Sequence, residues 1–172
     1  MRLRALACLL LVVSAVSGAR GQAVPEHELK ATYAYNFAAL TQWPASARTS
    51  FNLCVLGDDE LALAMRRLEG KVLHGRVVSA VPLAALSAIR DCDVLFVGAG
   101  EQANLSRIVD ALGDAPVLTV SDAPSLQDVA IRIVPEGSRL AFEVDVERCR
   151  RAGLKPGAAL LDLARKVRLP TD

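Results

Sequence analysis

The chain has 172 residues, of which 52% are apolar and 23% charged, with a formal net charge of +1. That is one ordinary domain with ample material for a core. A balance so near neutral supplies no field for holding nucleic acid or an anionic membrane surface.

Arg2 and Arg4 head an apolar run from Ala5 to Val16, and small residues follow through Ser17, Gly18, Ala19, Gly21 and Ala23. This three-part pattern predicts a secretory signal peptide over residues 1–23, with cuts available after Ala19 or Ala23. The apolar core of about a dozen residues falls short of the ~20 that a membrane-spanning helix needs. An uncleaved N-terminal anchor is the alternative. Cys8 lies inside the apolar core rather than after it, which does not fit a lipidation site. The expectation is a single α/β domain over residues 24–172, exported to the bacterial periplasm, with no direct membrane insertion. Removal of Arg2, Arg4 and Arg20 takes the net charge to −2.

Glu26 to Gln42 reads as a helix, with Leu29, Tyr33, Phe37 and Leu40 on one face, ended by Trp43-Pro44. Phe51 to Leu56 is a short apolar strand closed by Gly57. Asp58 is placed to cap the next helix, whose inner face is Leu61, Ala64, Met65 and Leu68. Val77 to Val81 is a second strand, and Pro82 opens a short helix with Leu83, Leu86 and Ile89 inward. Val94 to Val97 is a buried strand between Asp93 and Gly98. The helix after it carries Leu105, Ile108, Val109 and Leu112 and stops at Gly113. Pro116 to Val120 is a fourth strand. Val129 to Val134 and Leu140 to Val146 alternate around the turn Pro135-Glu136-Gly137-Ser138 and form an antiparallel hairpin. Pro156 opens a final helix with Leu160, Leu161, Ala164 and Val167 inward.

Repeated strand-then-helix units predict a mostly parallel, Rossmann-like sheet with helices on both faces and the C-terminal antiparallel hairpin at one edge. Cys54, Cys92 and Cys149 survive export. In an oxidising compartment an odd count suggests one bridge and one leftover thiol, the alternative being three buried free cysteines. If the first and third strands are neighbours, as is usual in doubly wound sheets, Cys54 and Cys92 are the best-placed pair.

Gly98-Ala99-Gly100-Glu101-Gln102-Ala103 matches the G-x-G-x-x-A dinucleotide fingerprint, with Asp122 ending the next strand. Glu101 argues against it, since an anion in the first turn would repel a pyrophosphate. Export removes the cofactor as well. Asp58, Asp59, Glu60, Glu101 and Asp122 all fall just past strand carboxyl ends, the rim where α/β proteins bind ligands. A solute- or metal-binding rim is one reading, and helix capping with dipole complementation is the other. His27 and His74 lie far apart, and no nucleophile-elbow or paired-cysteine motif accompanies them. No catalytic residue, resident metal or cofactor is therefore assigned.

The clusters Arg66-Arg67 and Arg148-Arg150-Arg151 read as solvated faces, and Arg165-Lys166-Arg168 as complementing the dipole at the end of the last helix. The aromatics are more suggestive. Tyr35 points away from the Tyr33–Phe37 face and Trp43 stands at the helix exit, so either is able to anchor a partner. Phe142 and Val144 of the hairpin, with Leu154 beyond it, form a second candidate contact surface, because an edge strand has unpaired backbone groups. The competing reading is that these three face the core.

Strung together, these segments resemble the YfiR/HmsC-like periplasmic regulators of membrane diguanylate cyclases. The likeness rests on Tyr35-Asn36-Phe37 with Trp43-Pro44, the run Phe51 to Asp58, Leu68 to Lys71, and Gly75 to Val78. It continues through Cys92 to Val97, Pro116 to Asp122, Phe142-Glu143-Val144, Arg151 to Lys155, and Leu160-Leu161-x-Leu163-Ala164. The resemblance implies a non-enzymatic inhibitor that binds the periplasmic sensor region of an inner-membrane diguanylate cyclase, lowering cyclic di-GMP and biofilm formation. It also implies a bridge at Cys54 and Cys92. A homo-oligomer is compatible with it. One departure stands out: Asp128-Val129 replaces a Gly-Gly pair common before the hairpin.

Overall fold

The computed structural model describes residues 24–123 and 129–170. The leader assigned to residues 1–23, and Asp128 of the departure from the Gly-Gly pattern, lie outside the described residues.

Helix α1 spans Glu26–Ala39, with Glu26 and Glu28 in its first turn, where carboxylates complement the helix dipole. Its buried face is Ala31, Ala34, Phe37 and Ala38. Of the expected stripe only Phe37 is fully buried, and Leu29, Tyr33 and Leu40 are half-buried at its flanks. Small side chains let the helix axis lie close on the sheet, so bulk collects at the sides. The helix ends before Gln42. Thr41–Gln42 form β1, antiparallel to Lys155–Pro156, and the Leu40 carbonyl accepts from the Gly157 amide at 2.8 Å.

The remaining elements in chain order are β2 (Ser50–Leu56), α2 (Asp59–Met65), β3 (Val72–Leu73), β4 (Arg76–Leu83), β5 (Val94–Val97) and α3 (Leu105–Leu112). After them come β6 (Leu118–Ser121), β7 (Ile131–Glu136), β8 (Arg139–Asp145), α4 (Val146–Arg151), β9 (Lys155–Pro156), α5 (Ala158–Leu163) and β10 (Lys166–Arg168). An eight-stranded sheet has the order β10-β8-β7-β6-β5-β2-β4-β3. Strands β4, β2, β5, β6 and β7 are mutually parallel. Their order is the 2-1-3-4-5 pattern of doubly wound sheets, which makes β2 and β5 neighbours, with Cys54 opposite Leu95.

Alternation along β2 sends Leu53 and Val55 to one face and Cys54 and Leu56 to the other. The larger core lies under α1 and α2 and runs on to Cys149, Leu154 and Leu160. The smaller one lies under α3 and the turn Leu86–Asp91. Cys54 and Cys92 are joined there by a disulfide with Cα atoms 5.8 Å apart, tying β2 to the entry of β5. Cys149 is free and buried.

Three expectations are corrected. Pro82 does not open a helix, because β4 runs through it to Leu83. The Val77 amide bonds toward β2 through Thr49, whereas Val78 bonds outward to Gly70 and Lys71. By alternation Pro82 faces outward too, where a missing N–H costs no ladder bond. The C-terminal helix stops at Leu163, and Ala164 turns extended (ψ 135). The chain then adds β10 parallel to β8, held by Arg165–Glu143 at 2.7 Å and Arg168–Asp145 at 3.0 Å. Those arginines therefore serve β8 rather than a helix terminus. The hairpin β7–β8 is consequently not the sheet edge along its whole length, since β10 pairs with Glu143 to Asp145 of its outer strand.

Candidate interaction surface

The β2–β5 switch point is where an open α/β sheet forms its ligand crevice. Here it is filled. Gly98 lies so close to the β2 exit that a Cβ on it would meet the Gly57 carbonyl oxygen at 2.5 Å. A Cβ on Gly57, whose φ is +76°, would meet Glu101 Cγ at 2.5 Å. The glycines of the fingerprint thus serve a close approach of two loops, and the Glu101 side chain packs against Gly57 at that approach. Its Oε2 accepts from Asn104 Nδ2 at 2.8 Å. Ala99–Asn104 is a 3-10 turn, so no α-helical N-terminus is aimed at the crevice.

The other acidic residues of the rim are engaged separately. Asp58 Oδ1 accepts from the Leu61 amide at 2.9 Å and caps α2. Asp122 pairs with Lys30, which also meets Glu26 at 2.6 Å. Burial works against the Lys30 charge, but its bonds to Asp122 and Glu26 prevail and raise its pKa. His27 lies 3.7 Å from Glu60, and His74 Nε2 lies 2.9 Å from the Ala38 carbonyl oxygen. Among the described residues no three His, Cys, Asp or Glu side chains converge as a metal site.

The proposed aromatic anchors have intramolecular partners. Trp43 is half-buried, edge-on to Phe51 at 5.1 Å, and its Nε1 donates to the Pro116 carbonyl oxygen at 3.1 Å. Tyr35 is half-buried under Lys71 Nζ, 5.2 Å from the ring centre. Phe142, Val144 and Leu154 are buried core residues, which corrects their reading as a contact surface. Phe142 packs on Phe37 at 4.8 Å and on Tyr33 at 6.1 Å. Helix α1 packs over most of Phe142, leaving only its edge at the surface, and Val144 and Leu154 are almost wholly enclosed.

Two surface features lie along β8. On the β7–β8–β10 face, Glu143 bridges Arg132 and Arg165 at 2.6 and 2.7 Å beside a cavity of about 160 Å³. Burial opposes ionisation of Glu143, but its bonds from both arginines outweigh it and hold the carboxyl below the usual glutamate range. The second feature is a wider groove of about 560 Å³ between α1, the tip of the hairpin and the end of α5. Sequence reasoning missed it because Leu29, Leu140 and Leu163 come from three distant segments and share no local period.

The sequence matches the YfiR/HmsC-like family over residues 27–165. The chain belongs to that family. In this YfiR/HmsC-like domain the residues that carried the resemblance are mainly scaffold: Trp43 locks on Phe51 and Pro116, Asp93 binds the buried Arg76, and Phe142 and Val144 fill the core. A solved structure described as an ABC domain in complex with L-Trp, from Streptococcus pneumonia, superimposes with a TM-score of 0.48 at 10% identity. The overlap covers 68% of the YfiR/HmsC-like chain and 56% of that one. So low a likeness implies nothing about ligand or activity. No helix among the described residues is long and apolar enough to cross a membrane.

Proposed function

We propose that this chain is an exported periplasmic regulator that works by protein contact. It binds the periplasmic sensor region of an inner-membrane diguanylate cyclase and holds it inactive, so that cyclic di-GMP and biofilm formation fall. The observation that carries this reading is the match to the YfiR/HmsC-like family across residues 27–165. The leader-like composition of residues 1–23 supports export, and the Cys54–Cys92 bridge suits an oxidising compartment. The domain acts without a cofactor of its own, and the role of its charged network is to fix the fold that the partner meets.

Deleting the gene tests the reading. Cyclic di-GMP and surface attachment should rise, and a plasmid copy with its leader should restore both. The purified mature protein should retain the periplasmic region of a membrane cyclase. Unchanged cyclic di-GMP on deletion, with no such retention, refutes the reading.

A further inference from the structure

The groove between α1, β8 and α5 is apolar on its floor and basic at its rim. Leu29 and Tyr33 form one side, Leu140 the back, and Leu163 the other side. Leu163 is 68% exposed although the neighbouring Leu160 is fully buried. A leucine left in water beside an apolar depression gains from being covered.

The backbone at the back of the groove limits what is able to cover it. Strand β10 begins opposite Glu143, so among the described residues no strand lies beside Arg139 to Ala141 of β8 on that side. Such an open edge ordinarily invites an added strand. Here the Tyr33 hydroxyl donates to the Leu140 carbonyl oxygen at 2.9 Å, which takes the acceptor a new strand would need. Recognition at this face therefore falls to side chains.

Charge narrows the occupant further. Two guanidiniums, Arg139 and Arg165, line the groove with a single carboxylate, Glu136. Arg165 is shared with Glu143. Arg139 is exposed and has no ion pair among the described residues. An occupant that buries apolar side chains here gains by carrying carboxylates at the rim.

We propose that the groove is the docking site for the regulated partner, which inserts large apolar side chains flanked by Asp or Glu. This rests on the reading of the chain as a regulator by contact, and adds the surface and the chemistry it selects.

The test is complementation of the deletion strain with wild type, Leu163→Glu, Arg139→Ala and, as a control at the far end of the sheet, Val72→Glu. Val72 is 62% exposed, so all three substitutions change surface residues, and melting curves of the purified proteins check their folding. Leu163→Glu should leave cyclic di-GMP at the deletion level, and Arg139→Ala should weaken binding to the cyclase's periplasmic region about tenfold. Val72→Glu should repress like wild type. If wild type represses and both groove variants do so equally well, the groove is not the site while the regulatory reading stands. If wild type itself changes nothing, that reading fails and the proposal falls with it. If Leu163→Glu instead converts a sedimenting dimer to monomer without affecting repression, the groove holds a second copy and the proposal is overturned. Should Leu163→Glu fail to fold, Arg139→Ala decides alone.

Discussion

The Arg76 guanidinium lies 2.8 Å from the Asp93 carboxylate, with both side chains almost wholly out of solvent. Arg48 meets the same carboxylate oxygen at 3.0 Å, and the other accepts from the Asn52 amide at 2.8 Å. Arg76 also stacks 4.6 Å over the Phe51 ring, which Trp43 meets edge-on. The cluster pins the starts of β2, β4 and β5 together. Removing one partner strands the other charge in a desolvated place. Asp93→Ala should therefore cost about 3–5 kcal/mol in urea unfolding. The double change Arg76→Met with Asp93→Leu should recover part of that, since the buried guanidinium leaves with its partner and the only cation left without this carboxylate is the partly exposed Arg48. A single substitution that melts like wild type contradicts this account.

The disulfide closes a loop between positions 38 apart in sequence, inside the smaller core. Cys54→Ala with Cys92→Ala should destabilise by about 2–4 kcal/mol, chiefly by freeing the unfolded chain. Cys149 should behave differently. Burial, then the nearby Asp145 charge, pushes its thiol up to about 12, so little thiolate forms at neutral pH. Native mature protein should resist alkylation. Denatured without reductant it should take one label, and three after reduction. A second label before reduction shows that the bridge is absent.

The parts of the fold legible in the sequence were those with a period. Apolar runs closed by glycine gave β2 and β5, the run from Pro116 to Val120 gave β6, and alternation gave the hairpin. Strand β10 has one apolar residue in three, Val167, so it carries no period, and the run Leu160 to Val167 imitated a helix. Alternation groups Phe142 with Val144 but does not say what covers their face. That depends on α1, whose contact side is alanine and weighs little in any hydrophobic pattern. Arg76 and Asp93 stand at the ends of apolar runs, where charged residues are usually solvated, and only the tertiary pairing makes them core. The groove was hidden for the same reason, since α1 supplies one side of it and residues more than a hundred positions further on supply the rest.

Trp43 is the chain's single tryptophan, so its fluorescence reports the packing of this corner alone. Trp43→Phe keeps the ring against Phe51 and loses the bond to Pro116, which should cost about 1 kcal/mol. Trp43→Ala should cost about 3 kcal/mol, the low end for a large aromatic, because the ring is only half-buried. Both should bind the cyclase region normally at temperatures where they are folded. Selective loss of binding by folded Trp43→Phe would make this residue a contact after all.

Acid should weaken the β7–β8–β10 face through Glu143. Its carboxyl is held below the ordinary glutamate value of 4.5 by Arg132 and Arg165, despite partial burial. A carboxylate depressed in the native state stabilises fully above its unfolded pKa, and that contribution is lost as pH falls through the native value. Stability should thus decline as pH drops below about 4.5, and the β7–β8–β10 face should loosen early because Arg165 anchors the entry to β10. Glu147 is also depressed, to about 2, by hydrogen bonds from Arg150 and Arg151. Those are exposed neighbours on one helix turn, and such pairs add little to folding. Glu143→Gln should lower stability at pH 7 and flatten the acid limb of the stability profile, whereas Glu147→Gln should change neither appreciably. Hydrogen exchange at β10 reads the same event locally: its protection should fall with pH in wild type and already be low at pH 7 in Glu143→Gln. Protection that stays equal in the two proteins would place the anchor of β10 in its backbone ladder rather than in this carboxylate.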